Sequence, residues 1–392
     1  MSGIYIHIPF CDTKCVYCDF YSITNRKRKE EFIDALIMEI IQGGKPPCST
    51  KDIEQGSLLP CCDSIYFGGG TPSLLSYEDF NKIFDTLHRN FQISDNAEIT
   101  IEANPGTLNE KKLREFRKLP INRISFGVQS FKDKELKFLT RIHTSEQASR
   151  AVMSAQDAGY ENINIDLIYA IPGQTLDTWK YNLEKAVSLN TQHISAYSLI
   201  FEEGTPLMKM LDKKADEDLE AEMYEYAIDY LTQEVSSGGG VPVGRGGSFV
   251  QYEISNFAKP GFECRHNLKY WNYEEYIGFG PSAASFVGNR RWVNVRNLNQ
   301  YIDRINGKVS PIDFSETIDG ATSMNEFVFL GLRSGGVNVT RFRKKYREDF
   351  LQRYKNSTVQ LIKRRMAVMD KDVFRLTKEG YRLCDEIIVN YF

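Results

Sequence analysis

No run in this sequence is long and apolar enough to span a bilayer as a helix, which excludes a helical membrane anchor within it. An excess of charge of one sign is also missing. Lys and Arg number 49 against 52 Asp and Glu, a formal net charge of −3 over 392 residues, which excludes a chain that holds nucleic acid by bulk charge. Outside one cluster, the cysteines (Cys48, Cys61, Cys62, Cys264 and Cys384) keep no regular spacing, so no disulfide framework is written into the chain. Only Met-Ser-Gly precedes the first apolar run, so no secretory leader is expected, and a thiol-rich chain belongs in a reducing compartment, the cytoplasm. What is present is enough for two or three domains: 42% hydrophobic residues can build a sizeable core.

The one cysteine cluster is Cys11, Cys15 and Cys18, spaced C-x3-C-x2-C. Three close thiolates can hold three irons of a cubane and leave the fourth open. A structural zinc site usually closes with four ligands, and the local sequence offers no fourth. From spacing alone, an iron-sulfur site and a zinc site both remain open. The cluster follows the strand-like run GIYIHIPF. Five further strand-like runs follow, SIYFGGGTP, EITIEANPG, RISFGVQSF, INIDLIYAIPGQT and HISAYSLI, separated by amphipathic stretches at 29–42, 77–90, 109–118, 145–158 and 177–189. Six strands alternating with helices predict a parallel barrel or an open doubly wound sheet. Either gathers its site at the C-terminal ends of the strands, where GGGTP, Glu102 and Gln129 fall. The glycines admit close approach of a ligand, though a tight turn needs them equally.

The strings YIHIPFCDTKCVYCDF, YFGGGTPSLL, IEANPGTL, RISFGVQSF, LTRIHT, INIDLIYAIPGQT, HISAYSLIFEEGTP, YEISNFAKPGFECRHNLKYW and GFGPSAASF stand in one order from residue 4 to about residue 294. On these the chain resembles the radical S-adenosylmethionine (SAM) family, in the group of oxygen-independent coproporphyrinogen III oxidases and haem chaperones. The resemblance implies an α/β fold, a partial (β/α)6 TIM-like barrel with C-terminal accessory and winged-helix-like modules. It implies a [4Fe-4S] cluster on Cys11, Cys15 and Cys18, and reductive cleavage of the SAM sulfonium by that cluster. It assigns SAM contacts to Tyr5, Gly70, Thr71, Glu102, Gln129, Arg141 and Asp166, with Asn104, Ser125 and His143 as supporting groups. Tyr17 and Phe20 are expected to shield the cluster, and His7 to hydrogen-bond near it or to pack as core.

Within that group the oxidases carry a further cysteine two positions after the triad. Here that position is Phe20, as in the chaperone branch. HNLKYW, His266 to Trp271, resembles that branch's haem-binding signature, so His266 is the expected haem ligand, with Cys264 in reserve. The competing reading is a structural segment docked on the barrel mouth. Ala284 stands where much of the family places a histidine. The expected function is therefore a SAM-binding iron-sulfur haem chaperone that delivers haem to haemoproteins. The alternatives are coproporphyrinogen III oxidation, anaerobic haem opening or methylation, and a zinc-stabilised adaptor.

Three parts are expected: a barrel core at 1–205, an accessory segment at 206–310 and a terminal winged-helix-like module at 311–392. The last holds 11 Lys or Arg between Arg341 and Lys371, suited to an acidic protein partner, a reductant protein included, or to anionic membrane headgroups; nucleic acid is not expected. An acidic stretch lies at Asp212 to Glu225, and a glycine-rich stretch at 236–251 cannot be regular helix.

Overall fold

The computed structural model describes residues 1–43, 61–232 and 249–392. The glycine-rich stretch lies outside the described residues apart from 249–251. The first two hundred residues alternate strand and helix: β1 Ser2–Ile8, α1 Lys29–Gly43, β2 Cys61–Gly69, α2 Tyr77–Asn90, β3 Gln92–Ala103, α3 Glu110–Phe116, β4 Arg123–Gln129, α4 Asp133–Phe138, α5 Ser145–Asp157, β5 Asn162–Tyr169, α6 Leu176–Ser188 and β6 His193–Ser198. Helix starts are set locally. Ser76, Thr144 and Thr175 each accept a bond from the amide three residues on, and the side chain there answers back to the cap amide.

Strands β1 to β6 pair in chain order, all parallel. Parallel strands covered on both faces usually read as continuous apolar runs. These instead alternate. Ile4, Ile6, Ile8, Ile65, Phe67, Ile99, Ile101, Ile124, Phe126, Ile163 and Ile165 face the helices and form the main core with Phe32, Leu36, Phe80, Phe84 and Trp179. The intervening positions turn inward and are polar or aromatic. In register, Tyr5 sits beside Tyr66, Glu102 beside Ser125, Ser125 beside Asn164 and Asp166 beside Ser195. The barrel interior is thus a lined polar chamber.

The remainder of the chain continues as α7 Glu217–Thr232, β7 Val250–Gln251, β8 Asn256–Ala258, α8 Arg265–Trp271, β9 Tyr276–Phe279, β10 Ala284–Val287, β11 Arg290–Asn294, α9 Leu298–Asn306 and β12 Ile312–Thr317. Its strands extend the barrel sheet at both ends. β9 joins β1 in parallel and carries β10, β11 and β12 outward, while β8 and β7 run antiparallel beyond β6. The accessory segment is therefore sheet continuous with the core.

The terminal module comprises α10 Gly320–Leu332, β13 Val337–Asn338, α11 Val339–Tyr346, α12 Phe350–Arg353, α13 Lys355–Lys363, β14 Ala367–Asp370, β15 Val373–Leu376, α14 Lys378–Arg382 and α15 Cys384–Tyr391. Its separate three-stranded sheet, ordered β13-β15-β14, and its helices enclose a second core around Phe327, Phe342, Phe350 and Phe374. One boundary is corrected. The module was expected from 311, but β12 is hydrogen-bonded to β11 in the large sheet, so the module begins with α10. Among the described residues no helix is long and apolar enough to cross a membrane.

Candidate functional site

β1 ends at Ile8, and Pro9 releases the chain into the cysteine loop. The loop is tied at several points. Phe10 bridges Ile23, the Cys11 amide donates to Ile23 O at 2.9 Å, and the Val16 amide donates to Thr140 Oγ1 at 3.1 Å. The amides of Gly70 and Thr71 donate to Ile8 O and Phe10 O at 2.8 and 2.7 Å. A Cβ on Gly70 would stand 2.6 Å from Phe10 O. Part of the GGGTP glycine requirement is therefore the docking of the cysteine loop onto β2.

The three thiols are free, Cys11 buried and Cys15 and Cys18 partly so. Burial is the main force raising the Cys11 and Cys18 thiols, Cys18 to about 11. Two donors reach sulfur: Thr71 Oγ1 to Cys11 at 3.5 Å, and Arg141 Nη1 to Cys15 at 3.5 Å. Among the described residues no three His, Cys, Asp or Glu side chains stand in a ready-made metal-binding group. The donor set nonetheless fits an iron-sulfur cluster. Three thiols share one short loop, a cation and a hydroxyl point at their sulfurs, and the buried Arg141 Nε has no partner.

Behind the loop, Arg141 Nη2 donates to Gly127 O at 2.6 Å and also to Asn104 Oδ1, whose amide nitrogen donates to Thr71 Oγ1 at 3.0 Å. A side chain on Gly127 would meet Gln129 Nε2, Arg141 Nη2 and Asn104 Oδ1 within 3.5 Å, so three polar groups converge over a residue with no side chain. Gln129 itself has φ of 68°, in the left-handed region where non-glycine backbone is strained. Glu102 accepts from Tyr66 Oη at 2.8 Å and from the Gly69 amide at 3.2 Å. Burial, with the nearby Asp166 charge adding to it, raises its carboxyl to about 7. Asp166 accepts from Asn164 Nδ2 at 2.7 Å and Ser125 Oγ at 3.1 Å, and burial raises it too. The Tyr5 hydroxyl lies 3.1 Å from His7 Nδ1, its ring stacked on Tyr66. His7 Nε2 reaches Tyr21 O at 2.8 Å, and burial lowers this imidazole to about 4. His143 is buried with Nε2 against Val128 O at 3.1 Å. Tyr5, Glu102 and Asp166 thus belong to one inner chamber, and Gly70, Thr71, Gln129 and Arg141 to its rim.

Two expectations change. Phe20 does not cover the thiols; it is 69% exposed, whereas Tyr17 packs beside Leu139, Ile168 and Leu207. Phe20 instead borders a cavity of about 280 Å³ shared with Tyr5, His7, Tyr270, Ala284 and Arg296. His266 does not stand at the mouth. α8 plugs the opposite, N-terminal end of the barrel, with the His266 ring against Gly3. Its Nδ1 lies 3.1 Å from Ser64 Oγ and its Nε2 2.9 Å from Tyr270 Oη. Burial, helped by Lys269, lowers it to about 3. With both nitrogens engaged inside the protein, this imidazole presents no free lone pair to iron. Cys264 is likewise buried, donating to Glu98 Oε1 at 3.5 Å.

Several interior residues escaped sequence reasoning: Tyr66, Arg123, Asn164 and His193. Asn164 bonds Asp166 and Ser125 and lies 2.6 Å from His193 Nδ1. For Arg123 and Asn164 the signal was there as a period of two: Arg123 and Ser125 in RISFGVQ, and Asn164 and Asp166 in INIDLIY, alternate with apolar residues.

The comparisons with known proteins bear on this geometry. The radical SAM superfamily model matches residues 5–186, and the HemN C-terminal domain model matches 318–383. The heme chaperone HemW of Bacillus subtilis is 35% identical over 99% of this chain and 98% of its own length. The chain belongs to the radical SAM superfamily, in its HemW-like branch. The heme chaperone HemW of Escherichia coli is 34% identical over 73% of this chain and 70% of its own. A solved structure of Escherichia coli coproporphyrinogen III oxidase, HemN, superposes with a TM-score of 0.80 over 99% of this chain and 89% of that one. At 22% identity that likeness shows the fold alone. The radical SAM family in general uses an iron-sulfur cluster together with SAM, and the HemN structure shares the fold described above over 99% of this chain, the terminal module included.

Proposed function

We propose that this chain is a haem chaperone: a radical SAM protein that binds haem and passes it to a haemoprotein. The observation that carries the reading is the similarity to HemW chaperones over nearly the whole chain. Phe20, in place of the extra cysteine expected of the oxidases, agrees with it.

Cys11, Cys15 and Cys18 would hold the [4Fe-4S] cluster, with Thr71 and Arg141 hydrogen-bonding to its ligand sulfurs. When bound, cluster and SAM supply one-electron chemistry at the sulfonium. The chain's own part is placement. Glu102, already accepting from a backbone amide and a phenol, is set to receive the SAM ammonium. Arg141 is set to pair with the carboxylate, and Asp166 to accept from a ribose hydroxyl. Gly70 and Gln129 close the rim, and Tyr5 backs the chamber. His266 is assigned to the plug of the barrel, not to iron. The basic helices α11 to α13 would be the face for an acidic partner, a reductant protein or anionic headgroups, and the free thiols support a reducing cytoplasm as the compartment.

The test is direct. Anaerobically reconstituted protein should bind haem yet form no vinyl product from coproporphyrinogen III with SAM and a strong reductant. Efficient turnover of coproporphyrinogen would overturn the chaperone reading.

A further inference from the structure

A buried cation lies inside the barrel, one row below the inner chamber. Arg123 stands in register between Thr100 and Asn162, beneath the row formed by Glu102, Ser125 and Asn164. Two residues along a strand cover about 6.6 Å and return to the same face, so the Arg123 side chain enters the same interior as Ser125. It is 2% exposed. Its surroundings do not pair it. Nε is buried with no partner, and so are Thr100 Oγ1 and Asn162 Oδ1 on either side. Glu98, two residues before Thr100, acts on it by charge and not through a hydrogen bond. The Glu98 Oε1 atom is turned instead to the Arg265 and His266 amides. Arginine stays charged at any working pH, and burying its charge without a close anion is unfavourable. Methionine would fill the same space without that penalty, so packing does not account for the guanidinium.

The two acids in the chamber do account for it. Glu102 and Asp166 are held by neutral donors: Tyr66 Oη and the Gly69 amide for the first, Asn164 Nδ2 and Ser125 Oγ for the second. Burial raises both carboxyls, Glu102 to about 7, and the charge of Arg123 opposes the rise in each. The phenols, thiol and imidazole that face these three residues stay neutral around pH 7. Burial raises Tyr5, Tyr66, Tyr197, Tyr252, Tyr270 and Cys264, and it lowers His193.

Resting on the assignment of Glu102 and Asp166 to SAM, we infer that Arg123 is a positioning residue for that ligand: a fixed counter-charge beneath the chamber that acts on SAM through those two carboxylates. An ionised carboxylate accepts from the amino and hydroxyl groups of SAM and attracts its positive charge; a protonated one loses that attraction. A proton and the ligand therefore compete for the same oxygens. Arg123 sets how far down in pH the chamber stays anionic.

SAM titrated calorimetrically into the anaerobically reconstituted full-length chain, across a series of pH values, tests this, with iron content as the control for an intact cluster. Wild-type affinity should fall on the acid side. In Arg123→Met the fall should begin about one pH unit higher, so that binding at about pH 6 is roughly tenfold weaker while binding at about pH 9 is not weakened. The titration of SAM itself is common to both chains and cancels in the comparison. Arg123→Lys keeps the charge and should keep the acid side of the wild-type profile; it decides alone if the methionine variant does not fold. A loss equal at every pH in either variant, a methionine variant with the wild-type profile, or a lysine variant that follows the methionine one would overturn the inference and leave the two carboxylates in the SAM site. If Glu102→Gln and Asp166→Asn both bind SAM as tightly as wild type, that assignment falls and the inference falls with it.

Discussion

The two ends of the barrel carry the same kinds of residue and use them in opposite ways. The mouth holds Cys11, Cys15 and Cys18, Arg141, Glu102 and His143; the N-terminal end holds Cys264, Arg123, Glu98 and His266. At the N-terminal end the groups are turned onto α8. Glu98 Oε1 accepts from the Arg265 amide at 2.9 Å, both His266 nitrogens have partners, and Lys269 pairs with Asp63 at 2.6 Å. At the mouth the groups are aimed at space. Three thiols share one loop, Gln129, Arg141 and Asn104 converge over a glycine, and Arg141 Nε and His143 Nδ1 have no partner, whereas the N-terminal end has one free thiol, Cys264, and an unpartnered Arg123 Nε. A polar residue type by itself does not distinguish the two ends; the proposed ligand site follows from position at the C-terminal ends of parallel strands.

The sharpest way to break this comparison is to empty each end of its cysteines. Changing Cys11, Cys15 and Cys18 together to alanine should abolish iron loading, about four irons per chain, in anaerobic reconstitution, while Cys264→Ala should leave iron content unchanged. Iron and sulfide assays read both. A triple variant that still loads a full cluster would erase the distinction.

The next effect concerns SAM. Glu102→Gln and Asp166→Asn should each weaken SAM binding by about 2 kcal/mol, roughly thirtyfold, because each removes a charged partner from a buried chamber. Calorimetry on reconstituted protein measures the loss. Equal affinities in wild type and both variants would remove these carboxylates from the SAM site.

The N-terminal end should answer in stability instead. Lys269 is nearly buried, and Lys269→Met leaves the partly exposed Asp63 without its cation, a cost of about 1–2 kcal/mol after discounting for solvent. The urea midpoint should fall while SAM affinity holds. A change in SAM affinity with no change in midpoint would reverse the roles of the two ends.

The smallest effect is in pH. The folded Glu102 carboxyl is raised to about 7 from an ordinary value of 4.5, so between these values the folded chain holds a proton that the unfolded chain has lost. Stability from this group is therefore full below the unfolded value and declines as pH rises through about 7. Between pH 6 and 8 its share is roughly 1 kcal/mol, which Glu102→Gln should subtract from the measured slope. Glu39 and Glu253, also raised to about 7 by burial, keep their shares in that variant and serve as internal reference.

Much of the core was legible in the sequence because it is local. Helices expected at 29–42, 77–90 and 145–158 stand at Lys29–Gly43, Tyr77–Asn90 and Ser145–Asp157, where period and caps agree. The cysteine triad and the strand-end polar groups were legible for the same reason. What escaped is non-local. Tyr276–Phe279 is four residues with no pattern of its own, and only its pairing with β1 makes it a strand of the barrel sheet. The side of the barrel on which His266 lies depends on α8 entering from the N-terminal end, which no spacing within HNLKYW encodes. Phe20 looked like a shield because hydrophobicity suggests burial, yet the loop turns it outward.

The pairing of β1 with β9 also sets an order of events during synthesis. β1 is made before the other described strands, and one of its two neighbours, Tyr276–Phe279, lies more than 260 residues further along. Until that segment leaves the ribosome, β1 is an edge, with its pairing groups bare and the cysteine loop hanging from its end. The early chain therefore waits, open to pairing with other nascent chains, until the late one arrives. Polypeptides stopped before Tyr276 are expected to aggregate where those stopped after Thr317 do not, a difference that light scattering of the two truncated chains would report.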